Sequence, residues 1–167
     1  GAQVEEGSYP TSYIPTSGAS ATRNQELCNN ATPVINSEEG TLYAEISALA
    51  DDGTNRPISI SDGSTANVVR FYYSTTDNRI VGNIKSGGST VFIYNNVLTD
   101  ATDFIKIALS YKANNFKMYV NGLEVSTDTS GATPIGLTEL AFDNGAGTDN
   151  FFGNTKGLKY YPKALAD

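Results

Sequence analysis

In the run "NVVRFYYS", Arg70 and Tyr72 stand two residues apart, which sets a guanidinium and an aromatic ring on one side of an extended segment. A ring of this kind stacks on the C–H face of a sugar, and a guanidinium or amide answers its hydroxyls. Tyr43 in "TLYAEIS", with Asn83 and Lys85 in "RIVGNIK", carries the same chemistry on other extended runs. Tyr43, Arg70, Tyr72, Asn83 and Lys85 are therefore the candidate carbohydrate-binding face, expected on one exposed sheet surface. Arg70 and Tyr72 are both expected to point outward, so that replacing either leaves the melting temperature nearly unchanged. The competing reading is that strand-face tyrosine and arginine merely cover a solvated sheet. The chain has no tryptophan, the strongest stacking residue, and this marks against a tight glycan site. A second cluster, "DNGAGTDN", offers hard oxygen donors from Asp143, Asn144, Asp149 and Asn150.

Other chemistry is excluded by what the chain lacks. It has no histidine, which removes Ser-His-Asp and Cys-His catalysis and most zinc sites. Retaining glycosidases hold two carboxyl groups about 5–5.5 Å apart, but Glu45 is alone on its run. Glu38-Glu39, Asp51-Asp52 and Asp100/Asp103 fall in turns. Cys28, the single cysteine, sits in "ELCNNA" without a basic neighbour and reads as a bystander thiol. The formal charge of −7 repels phosphate backbones and anionic lipid, which argues against nucleic-acid and membrane-surface partners. No apolar run approaches the roughly 20 residues that a helix needs to span a bilayer.

Positioning these residues falls to short β runs. "TLYAEIS" alternates Leu42, Ala44 and Ile46 against Tyr43 and Glu45, and "PISIS" alternates Ile58 and Ile60 with serines. "NVVRFYYS", "RIVGNIK" and "TVFIY" are spaced like antiparallel neighbours joined by hairpins. "FIKIALSYK" and "NFKMYVNG" form the clearest pair, with Asn121-Gly122 suited to a primed turn. "LTELAF" and "KGLKYY" give two late strands, and no stretch of ten residues shows a helical period. The 167 residues suffice for one domain with a real core. The expected fold is all-β, a two-sheet antiparallel β-sandwich.

The segments Ala108-Leu109-Ser110-Tyr111, Tyr119-Val120-Asn121-Gly122 and Gly157-Leu158-Lys159-Tyr160-Tyr161-Pro162 resemble the laminin-G-like or concanavalin A-like lectin jelly roll. The resemblance covers about residues 40–167, and the ending "YYPKALAD" looks like the version found in tailed-phage structural proteins, tail fibre or virion decoration. It implies that the last strand pairs back on the first, and that calcium is a candidate cofactor at Asp143, Asn144, Asp149 and Asn150. The opening "GSYPTSYIPTSGASATR" is similar to a joint between two such domains, stiffened by Pro10 and Pro15. Residues 1–36 are then a connector with the remnant of an upstream β-domain, and residues 37–167 the sandwich.

On this reading the leading expectation is a non-catalytic carbohydrate-binding or adhesion module of a phage virion or tail protein, weak per site and multivalent. Its partners would be cell-surface polysaccharide, neighbouring domains of the same chain and copies of itself, at a virion surface or outside the cell. A purely structural spacer without ligand is the alternative, and a polysaccharide lyase or hydrolase the third.

Overall fold

Because side chains alternate across a strand, each period-two run offers one apolar face, and two sheets are needed to bury all of them. The computed structural model describes residue 18 and residues 33–165; the expectations for the connector and for Cys28 lie largely outside these. The strands are β1 (Glu39–Ala48), β2 (Arg56–Ser61), β3 (Val68–Tyr73), β4 (Arg79–Ser86) and β5 (Ser89–Val97). They continue with β6 (Ile105–Lys112), β7 (Asn115–Val120), β8 (Leu123–Asp128), β9 (Glu139–Ala141) and β10 (Gly153–Tyr161). No helix occurs among the described residues.

The first sheet runs β10-β1-β6-β7-β8 and the second β5-β4-β3-β2-β9, every pair antiparallel. The fold is the expected antiparallel jelly-roll sandwich. Leu42, Ala44 and Ile46 of β1 meet Ile107, Leu109, Phe116 and Met118 from the same sheet, and Ile58, Ile60, Val69, Phe71 and Ile80 from the other. All are fully buried and all come from the apolar side of the alternation. Asn121 and Gly122 take φ of 51° and 84°, the left-handed pair that a two-residue hairpin turn requires. The last strand pairs along the first, Leu42 opposite Tyr160 and Ala44 opposite Leu158.

One departure from simple alternation matters for the site. Pro57, Ser59, Ser61 and Val68 point away from the core yet are buried. The 142–151 segment that follows β9 folds back over this part of the second sheet, so the face is not left to water.

The chain enters and leaves side by side. The Tyr111 hydroxyl donates to the Asn36 carbonyl at 2.6 Å, and the Asn36 backbone N–H donates to the Tyr160 hydroxyl at 2.8 Å. Asn36 also donates through its amide to the Pro162 carbonyl, and the Thr41 hydroxyl donates to that of Lys163. Burial pushes the Tyr111 phenol well above its ordinary pKa, and the Tyr160 hydroxyl adds to the shift. Gly40 sits beneath both rings, where a Cβ would lie 2.6 Å from the Tyr111 oxygen and 2.8 Å from that of Tyr160. Gly40→Ala is therefore expected to cost about 1–3 kcal/mol by forcing the two phenols off their partners. Urea unfolding of the variant checks this, and a midpoint equal to the parent's would show that the clamp yields freely.

Candidate functional site

The site is built on β3. Arg70 and Tyr72 share the outer face of this strand, with Ser59 and Pro57 of β2 opposite them on one side and Asn83 and Val81 of β4 on the other. The Arg70 carbon Cζ lies 5.4 Å from the centroid of the Tyr72 ring, within cation–π range. Its Nε donates to Asn83 Oδ1 at 3.1 Å, and Asn83 Nδ2 in turn donates to the Phe92 carbonyl at 3.3 Å. Its Nη1 donates to the Asn144 carbonyl at 3.3 Å. Burial lowers the Arg70 pKa from its usual value, while the charges of Tyr72 and Asp149 act the other way.

The loop that supplies Asn144 and Asp149 is closed by local bonds. Phe151 N–H donates to the Phe142 carbonyl at 2.8 Å, and the two rings lie 6.0 Å apart. The Asn144 amide donates to the Thr148 hydroxyl at 2.6 Å and to Asp149 Oδ2 at 3.2 Å. Gly145, at φ 96°, presses on the sheet, and the Ser61 hydroxyl donates to its carbonyl at 3.0 Å. A Cβ there would stand 3.0 Å from Ser61 Cβ and 3.1 Å from a Val68 methyl, so only glycine lets the loop lie this close.

Loop and strand together leave an open pocket of about 240 Å³, lined by Asn55, Pro57, Arg70, Tyr72, Asn144 and Asp149 with the turn residues Ser74 and Thr75. The two clusters singled out in the sequence thus meet: Arg70 and Tyr72 from the proposed sugar face, Asn144 and Asp149 from the oxygen-rich loop. Asn83 lies beneath the pocket, 2% exposed, and acts by holding Arg70. Lys85 shares the face but pairs with Val68, further along the strand and outside the pocket lining. Tyr43 does not share it. It lies on β1 in the other sheet, because β1 and β2 part at the turn 49–55 and join different sheets. Asn55, Pro57, Ser74 and Thr75 were not anticipated. Their one sequence signal is position: Asn55, Ser74 and Thr75 fall beside the ends of the strands that carry Pro57 and Tyr72, and Pro57 is the second residue of β2.

As a cation cage the loop is lean. Asp143 is 4% exposed and its Oδ1 accepts from Gly145 N–H at 2.7 Å, while Asn144 Oδ1 accepts from Ala146 N–H at 3.0 Å. Asp149 Oδ2 is held by Asn144. Asn150 Oδ1 is buried and has no hydrogen-bond partner. Among the described residues no three acidic, histidine or cysteine side chains gather, so a cation here would draw on amide or backbone oxygens as well.

No protein-family model matches the chain, and no curated protein matches it in sequence. Solved structures do share its fold. The CBM40 domain of the Ruminococcus gnavus IT-sialidase, bound to α2,3-sialyllactose, superposes with a TM-score of 0.62 at 15% identity, over 79% of this chain and 80% of that one. Domains LG4-5 of the mouse laminin α1 chain give a TM-score of 0.59 at 12% identity, over 84% of this chain but only 39% of the laminin structure. NanB sialidase from Streptococcus pneumoniae gives 0.62 at 16% identity, over 80% of this chain and 23% of the enzyme. The likeness is one of fold.

Arg70 lies on the outer face of β3, and it also ties the Asn83 side chain to the loop carbonyl of Asn144, so its removal should not be neutral for stability. Arg70→Ala is thus expected to lower stability by about 1–3 kcal/mol, the cost of leaving buried acceptors unanswered. Thermal unfolding checks it; a melting temperature equal to the parent's would show that the loop stands without the arginine.

Proposed function

We propose that this chain is a non-catalytic carbohydrate-binding module whose ligand site is the Arg70–Tyr72 pocket. One observation carries the reading: a guanidinium, an aromatic face, an amide and a carboxylate from three separate segments converge on one open pocket. Its volume is below the roughly 300–1,000 Å³ of drug-sized sites, which suits a single sugar ring. The fold shared with a CBM40 domain that binds sialyllactose supports a glycan ligand. Among the described lining residues Asp149 is the sole carboxylate, whereas hydrolysis of a glycosidic bond normally uses a pair. The resemblance of "YYPKALAD" to tailed-phage structural proteins supports a setting on a virion or tail fibre, outside the cell. There, weak single sites gain strength from many copies.

Per-site affinity is expected near the millimolar level, about −4 kcal/mol. Titration by saturation-transfer NMR against sialyllactose, lactose and a panel of bacterial surface oligosaccharides tests this. Tyr72→Ala is expected to weaken the bound sugar at least tenfold while the protein stays folded. Failure of the wild type to bind any member of the panel, free or in multivalent display, would favour a spacer module without ligand.

Calcium at Asp143, Asn144, Asp149 and Asn150 is the second reading, favoured by the unanswered oxygen of Asn150. When bound it would supply positive charge to fix the loop. On this reading the melting temperature rises with added calcium and falls back with chelator, and Asn150→Ala removes the difference. An identical melt in both conditions would set calcium aside.

A further inference from the structure

The residue that the second sheet does not hold has a place of its own. On the outer face of the first sheet, Tyr43 pairs with Ala108, Ala108 with Tyr119, and Tyr119 with Glu124. On the other side Tyr43 pairs with Lys159. Lys159, Tyr43, Ala108, Tyr119 and Glu124 therefore form one row that crosses all five strands. Its two half-buried rings are separated by a side chain no larger than a methyl group, itself 7% exposed. The ends are polar: the Lys159 ammonium lies 6.0 Å from the Tyr43 ring, and the Tyr119 hydroxyl donates to Glu124 Oε2 at 3.2 Å.

The row is walled along both sides. On one side the exit segment passes over the neighbouring row, where the Thr41 hydroxyl donates to the Lys163 carbonyl and the Leu165 N–H to the Ser110 hydroxyl. On the other, Glu45 pairs with Lys106 in register and lies 3.9 Å from the Lys156 ammonium. The result is a shallow trough that runs across the strands with tyrosine rings in its floor.

We propose that this trough is a second carbohydrate surface, for an extended, neutral, β-1,4-linked polysaccharide. Tyr43 and Tyr119 stand two strand spacings apart, roughly 9–10 Å, the length of two sugar rings joined end to end. A flat glycan ribbon laid along the row places alternate rings on the two tyrosines and the intervening ring over Ala108. Glu124 and Lys159 then answer hydroxyls at the ends. Charge complementarity favours a neutral chain, since Glu45 lies against Lys156 and Glu124 against Lys117. A peptide gains little here, because the backbone groups of β1, β6 and β7 are paired on both sides within the sheet. A narrow trough with charged ends also lacks the broad apolar area of a stable dimer.

The surface is separate from the Arg70–Tyr72 pocket and does not depend on it. Native gel electrophoresis through hydroxyethylcellulose and through xylan, with soluble starch as the α-linked control, tests the proposal. Wild type is expected to be retarded by a β-1,4-linked polymer and not by starch. Tyr43→Ala and Tyr119→Ala should each reduce the retardation at least fivefold, and Ala108→Arg, which fills the gap from the surface, should abolish it with the melt unchanged. Tyr72→Ala, which reports on the pocket, should leave retardation intact. An unretarded wild type, or retardation lost in Tyr72→Ala and kept in Ala108→Arg, overturns the proposal. So does a wild-type dimer in size-exclusion chromatography that Ala108→Arg dissociates, which would make a second copy the occupant.

Discussion

A guanidinium lying half out of water on a strand face must find acceptors, because each buried N–H without one costs more than most surface contacts return. Arg70 meets this constraint in two directions. Asn83, on the adjoining strand, answers Nε and is itself fixed by the Phe92 carbonyl; the loop carbonyl of Asn144 answers Nη1. The loop can be there only because Gly145 carries no side chain where it touches Ser61 and Val68. Strand, loop and pocket are thus three results of one requirement. The polar outer positions of β2 disappear from solvent as a by-product.

The same loop explains why the two sheets present different surfaces. In the second sheet residues 142–151 roof the outer face of β2 and β3 and leave a compact pocket at the roof's margin, while Ile93 and Asn95 on the outer face of β5 stay exposed. In the first sheet the exit segment covers only the rows near Thr41 and Ser110. An open strip of rings and paired charges is left beside it. The pocket is compact and bounded by a loop; the strip is long and open along the row. Both follow from how much of each sheet the connecting segments happen to cover.

The strands were legible because burial on one face imposes a period of two, and Leu42, Ala44 and Ile46 or Phe116, Met118 and Val120 state it without ambiguity. The Asn121-Gly122 turn was legible for a similar reason, since few residues accept two positive φ angles in succession. Sheet membership was not. "TLYAEIS" and "NVVRFYYS" carry the same alternation, and nothing within either run says that the turn 49–55 sends the chain to the opposite layer, so Tyr43 was grouped with Arg70. Nor could the loop "DNGAGTDN" announce its destination. Its sequence satisfies itself as a series of turns, and its contact with Arg70 joins residues 74 positions apart. The chemistry of the pocket was visible as two lists of residues; that they form one place is a tertiary fact.

The adjacency of entry and exit has a mechanical consequence. The start of β1 and the end of β10 are antiparallel neighbours, with Thr41 opposite Tyr161. Tension applied through the flanking chain therefore pulls the two strands apart sideways and loads their hydrogen bonds one pair at a time, as in opening a zip. A shear geometry would share the load among all the pairs at once. Resistance at the first step falls to Asn36 and the two phenols that grip it, because they are the bonds nearest the applied force. The Arg70 pocket lies toward the other end of the sandwich, where Tyr73, beside Tyr72, donates to the carbonyl of Ile46 near the end of β1. A pull on the flanking chain would thus peel the domain from the end away from the Arg70 pocket, whose walls would outlast the first bonds to open.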